Sequence, residues 1–320
     1  MKIDHLVLSQ DDRESIEQLL KQVFALESSR DLRSFLLDAS VLAHQLPISV
    51  RRRMSGFRLQ EWAAAICIHG NPIGKDIGPT PQSIPSPFEK SMITREEALL
   101  LLYSSLLGDP FTWSSIQNGN LINEIIPISE HADKPMSSGS ANVFGLHTED
   151  AFHDLRGEYL ALLCLRNPSH TPTLLSCIDD VDLSETDKDL LFQKRYTIGS
   201  NVAHRVDKAE SGKVSILFGH TTSPYLRINT NRDPLLDSDP AARSAYDTLI
   251  SQLESMTVEF ILEPGDCLII DNFKAAHGRS TYQPNYDGND RWLKRVYITS
   301  SLRNSRALRE TSEDRVIHLT

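Results

Sequence analysis

Leu262-Glu-Pro-Gly-Asp-Cys-Leu-Ile-Ile-Asp-Asn-Phe-Lys-Ala-Ala-His277-Gly-Arg279 reads as a turn, a strand, and a histidine just past the strand's end. Pro264-Gly265 suits the two central positions of a type II turn, where proline presets the first φ and glycine supplies the positive second one. Leu268 to Ile270 is a short apolar run bounded by turn residues, and Tyr159 to Leu165 is another. Arg291 to Ser300 alternates in character, as a strand does. One helix interrupts these strands: Asp239 caps it, Pro240 occupies its first turn, and Ala241, Ala245, Leu249 and Leu253 follow.

Upstream, the period changes. Ile16, Leu19, Leu20, Val23 and Phe24 share one helix face, and Leu32, Phe35, Leu36, Ala39 and Ala43 repeat the pattern. Thr94-x-x-Glu97 is a capping box ahead of Leu99 to Leu102, with Gly108 as the stop. Gly70 to Pro87 is a loop rich in proline and glycine. Helices followed by many short strands predict an α+β protein whose strands close into a barrel or double-sheet jelly roll. The expected organisation is a single domain over residues 1–320. Residues 1–110 form a largely helical flank, 111–302 a β core with an inserted helix at 240–255, and 303–320 a tail.

Composition narrows the function. A chain of 320 residues with 40% hydrophobic residues has material for a buried core. Its net charge of −10 argues against nucleic acid, because neutralising phosphates needs a basic face. The run Arg51-Arg52-Arg53 reads as a solvated loop or helix end. Cys67, Cys164, Cys177 and Cys267 form no C-x-x-C pair and read as buried reduced thiols. No apolar stretch approaches the ~18 residues of a membrane span, and Met1 to Asp4 begins no apolar signal segment. A cytoplasmic protein is expected.

Asn142-Val-Phe-Gly-Leu-His147-Thr-Glu149 carries the first chemical signal. Residues two apart on a strand point to one face, so His147 and Glu149 aim together. With 11 His and 43 Asp plus Glu, about one or two H-x-[DE] pairs arise by chance, and His131-Ala-Asp133 is another. Context separates them: His131 lies between Pro127 and Pro135 in a polar stretch, while Val143, Phe144 and Leu146 precede His147 as a strand. A second histidine completes the two-His, one-carboxylate facial triad of a non-haem iron(II) oxygenase, and His277 is the candidate. Alone, His277 is better read as an ordinary surface or core histidine, and it is the company of other residues that changes this.

Arg291 follows His277 by fourteen positions and Arg295 by four more. Arg291, Leu293, Arg295 and Tyr297 share one strand face, opposite Trp292, Val296 and Ile298. Two interior guanidiniums are costly unless carboxylates meet them, and a guanidinium fork matches a carboxylate in two parallel hydrogen bonds. At ~3.3 Å per residue the forks stand about 13 Å apart and serve two different carboxylates. A dicarboxylate cosubstrate and an amino-acid substrate would supply them. The alternative is an exposed face with ordinary Arg–Glu pairs.

The blocks "LHTEDAFH", "YLALLCLRNP", "LEPGDCLIIDNF..AH" and "YDGNDRWLKRVYI" occur in an order that resembles the clavaminate synthase-like, taurine dioxygenase-related branch of the Fe(II)/2-oxoglutarate oxygenases. The wording is similar to that of the free amino-acid hydroxylases acting on asparagine, arginine, citrulline and lysine. The resemblance implies a double-stranded β-helix core with flanking helices. It implies Fe(II) on His147, Glu149 and His277, with 2-oxoglutarate and O2 as cosubstrates. It assigns the far carboxylate of 2-oxoglutarate to Arg291, with Thr173 beside it, and the substrate α-carboxylate to Arg295. Gln117 and the free oxygen of Glu149 fall near the substrate amine, and Ser137 or Ser138 near its carboxylate.

The implied reaction is hydroxylation of an unactivated C3 or C4 carbon of a free L-amino acid with a polar or cationic side chain (arginine, citrulline or lysine type). Succinate and CO2 are the co-products, and natural-product (antibiotic) biosynthesis is the setting. One departure concerns the substrate tail. Acidic residues of the arginine hydroxylases fall in the segment matching Pro224 to Asn231, where this chain has Arg227, Asn229 and Asn231. A buried cation without a carboxylate is penalised, which leaves room for a neutral tail such as citrulline or an amide. Asp179, Asp180 and Asp233 remain possible sources of charge. Residues 199–220 read equally as a mobile lid or a surface loop, and His153 and His204 as structural residues.

Other readings stay open. The same iron chemistry supports desaturation, or a carrier-bound amino acid. A zinc hydrolase also uses two His and a carboxylate, but leaves Arg291 and Arg295 unexplained. A binding or storage protein of the same fold would not need a complete ligand set. The oligomeric state is not legible.

Overall fold

The computed structural model describes residues 1–25, 31–87, 91–204, 210–232, 234–236 and 239–319. Two sheets organise it. The larger runs, in spatial order, through Ile3–Val7, Ala65–His69, Cys267–Asp271, Tyr159–Arg166, Trp292–Thr299, Asp109–Trp113 and Val316–Ile317, with Asn123–Ile125 also paired to Trp292–Thr299. The smaller runs Val258–Phe260, Thr173–Cys177, Ala275–Arg279, Phe144–His147. Both apolar runs form central strands of the larger sheet, antiparallel and in register from Cys267↔Leu163 to Asp271↔Tyr159.

The alternation of side chains along each strand sorts the core into layers. Leu160, Leu162, Leu268, Ile270, Leu293 and Tyr297 from the larger sheet meet Leu175, Cys177 and Ala275 from the smaller one. The opposite face of the larger sheet, with Ile66, Ala161, Ile269, Val296 and Ile298, packs under the N-terminal helices. The outer face of the smaller sheet, with Leu146 and Ala276, packs under the helices Pro240–Ser255 and Glu185–Leu191. Burying each apolar face at about 25 cal/mol per Å² is what holds these layers.

The caps lie where the sequence places them. Ser9 and Thr94 each close a capping box, at Gln10–Val23 and Arg95–Ser105, and Asp239 caps Pro240–Ser255 with Pro240 at its start. Gly265 has φ +90°, as the turn demands. Three features differ from the sequence reading. Ile3–Val7 and Ala65–His69 are strands inside the stretch read as helical. Arg51 to Arg53 lie within a helix, Ile48–Gln60, where Arg53 pairs with Asp4. Val316–Ile317, in the tail, adds a parallel strand to the larger sheet. All four cysteines are buried and free. Among the described residues, no helix is long and apolar enough to cross a membrane.

Candidate metal centre

His147 ends the strand Phe144–His147 and pairs directly with His277 on Ala275–Arg279. On its other side it bridges to Asn229, and the Thr148 N–H donates to the Ile228 carbonyl at 3.0 Å. The register shifts between His277 and Arg279. Gly278 permits this, since a Cβ there would lie 2.5 Å from the Phe144 carbonyl oxygen. Glu149 follows the strand in a short loop clamped by Asn272, which accepts from the Glu149 N–H at 2.6 Å and donates to its carbonyl at 3.1 Å.

The three side chains converge. One donor atom from each of His147, Glu149 and His277 lies within 4.8 Å of the others, and all three residues are buried. Glu149 Oε2 stands 3.5 Å from His277 Nε2 and 4.0 Å from His147 Nε2. His147 Nδ1 donates to the Gly145 carbonyl at 2.9 Å, which fixes its proton there and leaves Nε2 with a free lone pair. That Nε2 is buried without a hydrogen-bond partner. Burial, helped by the neighbouring His277, pushes His147 down to about 3, so the ring is neutral. Burial opposes ionisation of Glu149, but Arg295 and the two imidazoles outweigh it and hold the carboxyl well below its usual range. Two imidazoles and one carboxylate are the donor set of a facial iron(II) site.

A support chain reaches His147 from the segment that the sequence reading associated with the substrate tail. Asn231 accepts from the Gly145 N–H at 2.9 Å and donates to the Gly145 carbonyl at 3.2 Å. Asn229 accepts from the backbone N–H of Asn231 at 3.1 Å and donates to Gly199 at 3.3 Å. Sequence spacing does not reveal this clamp, because Gly145 and Asn231 meet only through space.

Both arginines line one cavity, but they differ in their partners. Arg295 is buried and bonds Glu149 at 3.1 Å and Asn123 at 3.0 Å, with its guanidinium over the Tyr297 ring. Arg291 is buried, has no carboxylate partner among the described residues, and leaves Nε without a hydrogen bond. Burial disfavours its charged form. A cavity of about 50 Å³ is lined by Ser137, Thr173, His277, Arg279, Arg291 and Arg295 among others. Thr173 reaches it because Thr173 pairs with Arg279 across the two strands. Arg279 was not singled out in the sequence, although it follows His277 by two and therefore shares its face.

Gln117 is placed differently. Its amide donates to the Glu124 carbonyl and accepts from the Glu124 N–H, each at 2.8 Å, so both ends serve the backbone. Ser138 is turned to His131 at 2.8 Å. Arg227 pairs with Asp154, and Asp179 with Lys274. Asp180 meets the Met1 amine. Asp233 lies outside the described residues, as do 205–209 of the stretch read as a lid. His204, which precedes residues 205–209 in sequence, is buried. It bonds Asp150 at 2.8 Å and Ser115 at 2.7 Å, and the Trp113 indole also donates to Asp150. The neighbour of Glu149 thereby anchors the start of that stretch, while Leu217–His220 forms a hairpin with Ser223–Leu226. His153 accepts from the Leu155 N–H at 3.0 Å, a local turn role.

Residues 182–297 match the model of the taurine catabolism dioxygenase TauD, TfdA family. An L-ornithine/L-arginine 3-hydroxylase of Catenulispora acidiphila is 33% identical over 88% of this chain and 90% of its own. An enduracididine beta-hydroxylase of Streptomyces hygroscopicus is 30% identical over 98% of this chain and 99% of its own. The crystal structure of the non-heme iron oxygenase OrfP with Fe and alpha-ketoglutaric acid superposes with TM-score 0.90 at 38% identity, covering 98% and 99% of the two chains.

Proposed function

Because this chain belongs to the TauD, TfdA dioxygenase family, we propose that it is an Fe(II)- and 2-oxoglutarate-dependent hydroxylase of a free L-amino acid with a polar or cationic side chain. The observation that carries the reading is a pairing of unmet needs: one at the cluster of His147, Glu149 and His277, and one at Arg291, which lines a cavity together with His277 of that cluster. Among the described residues a buried imidazole nitrogen, His147 Nε2, has no hydrogen-bond partner, and a buried guanidinium, Arg291, has no carboxylate partner. A divalent cation answers the first and a dicarboxylate the second.

In this reading His147, Glu149 and His277 hold the iron. Arg291 and Thr173 take the far carboxylate of 2-oxoglutarate, and Arg295 takes the α-carboxylate of the amino acid. Ser137 stands on the same cavity wall, Asn229 at the tail end, and Gln117 supports Glu124. Iron and 2-oxoglutarate supply oxidative decarboxylation of the cosubstrate, with O2, to succinate and CO2 coupled to C–H hydroxylation. The protein's own residues bind and orient the two carboxylates, keep the His147 imidazole neutral, and exclude water from the reacting carbon.

Two further points belong to the same reading. The facing sheets constitute a double-stranded β-helix core of one domain spanning 1–320, acting in the cytoplasm. The carbon attacked is C3 or C4, consistent with the beta- and 3-hydroxylase relatives.

A panel assay tests the proposal. Protein loaded anaerobically with iron(II) is mixed with 2-oxoglutarate, O2 and each of arginine, ornithine, lysine, citrulline and asparagine. One or more amino acids accelerate succinate formation and gain one oxygen atom. If none does while iron and 2-oxoglutarate bind, the free-amino-acid assignment fails and a carrier-bound substrate replaces it.

A further inference from the structure

A second group of metal-ligating side chains lies on the larger sheet, whose strands carry no residue of the triad. Cys67 and His69 are two apart on Ala65–His69 and therefore share its face. Asp266 comes from the turn that opens the neighbouring strand Cys267–Asp271, which pairs with Ala65–His69. One donor atom from each lies within 4.8 Å of the others. Cys67 Sγ is 3.8 Å from His69 Nδ1, and His69 Nδ1 is 2.9 Å from Asp266 Oδ1.

We propose that Cys67, His69 and Asp266 form a second site, for a borderline-soft divalent cation of the Zn2+ class, separate from the facial triad. Tetrahedral bonds of about 2.0–2.3 Å set ligand-to-ligand edges of about 3.3–3.8 Å. The Sγ–Nδ1 separation already matches such an edge. The Nδ1–Oδ1 separation is short because a proton now sits between the two atoms, and it lengthens by a few tenths of an ångström when a cation replaces that proton.

His5 completes the arrangement. It lies on Ile3–Val7 directly beside Cys67, and its Nδ1 is 2.9 Å from His69 Nε2. A metal-bound imidazole places its remaining proton on the other nitrogen, where a hydrogen-bond acceptor fixes the ring. Coordination through His69 Nδ1 moves that proton to Nε2, His5 Nδ1 accepts the bond, and the proton of His5, an exposed residue, shifts to its Nε2. Asp266 stays oriented through its second oxygen, which accepts from the Glu263 N–H at 3.0 Å.

The proton balance is simple. The Cys67 thiol loses its proton to solvent, sulfur binds the cation, and the two imidazoles only exchange tautomers. Burial pushes this thiol far above the usual range, so it stays protonated until a cation compensates the charge. His69 is partly exposed, with 26% of its side chain accessible, which gives the ion an entry and leaves a fourth position for water. Ligand type separates the two sites: a thiolate selects the softer ion, whereas the triad offers only nitrogen and oxygen.

Co2+ alone, titrated anaerobically into the metal-free full-length protein, tests this. The expected result is two equivalents bound, with a thiolate-to-cobalt charge-transfer band in the near ultraviolet and about one proton released for the ion that produces it. The band persists in His147→Ala, which lacks the triad, and is absent in Cys67→Ser. In His69→Gln it requires at least about tenfold more Co2+. Absence of the band in the wild type, or its survival in Cys67→Ser, overturns the proposal and leaves an ordinary hydrogen-bonded His–Asp pair. Should Cys67→Ser fail to fold, His69→Gln decides, and an unchanged titration in that variant overturns the proposal.

Discussion

His147 and His277 stand opposite each other on adjacent antiparallel strands, with ring centroids 4.4 Å apart. Two imidazoles this close and this buried do not both carry charge, and burial together with His277 pushes His147 down to about 3. An unfolded histidine titrates near about 6.5. The native state therefore binds fewer protons than the unfolded chain between those values. Stability from this group is fully present above about 6.5 and is lost as pH falls toward 3. The thermal midpoint of the metal-free protein should fall with acid across that window, and His147→Gln should flatten the fall. Parallel curves for the two proteins would contradict the assignment of the acid sensitivity to His147.

Arg291 separates function from stability. Its charge is buried and has no carboxylate partner among the described residues. Arg291→Met should raise the KM for 2-oxoglutarate by about 10- to 100-fold, the worth of a charge-assisted pair. The same change should leave the thermal midpoint of the ligand-free protein unchanged or higher, because it removes an uncompensated buried cation. Thermal shift with and without 2-oxoglutarate measures both effects. A lowered midpoint with unchanged 2-oxoglutarate affinity would place Arg291 in the scaffold instead.

Arg295 should divide the two carboxylates. It already bonds Glu149 and Asn123. Arg295→Lys keeps a positive charge but loses the fork. The KM for the amino acid should rise about tenfold or more while the KM for 2-oxoglutarate stays within about twofold. Steady-state kinetics with each substrate varied in turn separates these outcomes, and a rise confined to 2-oxoglutarate would exchange the roles of the two arginines.

Asn231 reaches His147 through Gly145. Its amide grips both polar groups of Gly145, whose carbonyl fixes the His147 tautomer. Asn231→Ala should weaken iron(II) binding about 10- to 100-fold, the usual cost of losing an orienting partner, and excess iron should restore turnover. Competition against a chelator reads the affinity. An unchanged affinity would show that the strand alone orients His147.

What was legible in the sequence follows from the range of the interactions. The convergence of His147, Glu149 and His277 was legible only in part: the H-x-E spacing marked the first two, although the strand Phe144–His147 ends before Glu149, and His277 lies on a strand of its own, Ala275–Arg279, beyond the turn and strand that drew attention to it. The strands Ile3–Val7 and Ala65–His69 were missed because they are short and lie among strongly helical segments; their pairing with Cys267–Asp271 is non-local. The placement of Gln117 under Glu124, the Asn231 clamp and the Asp150–His204 bond join residues distant in sequence. No periodicity encodes such contacts. Arg279 was within reach, since the rule that joined His147 to Glu149 also joins it to His277.

The most direct test uses isotopically labelled O2. Iron(II)-loaded protein, 2-oxoglutarate and the best amino acid from the panel are exposed to the labelled gas, and the product mass is read beside succinate. The predicted result is one labelled oxygen atom in the hydroxylated amino acid for each succinate formed, abolished in His147→Ala. Product lacking the label, or product formed equally by His147→Ala, would contradict iron-dependent oxygenation at His147, Glu149 and His277.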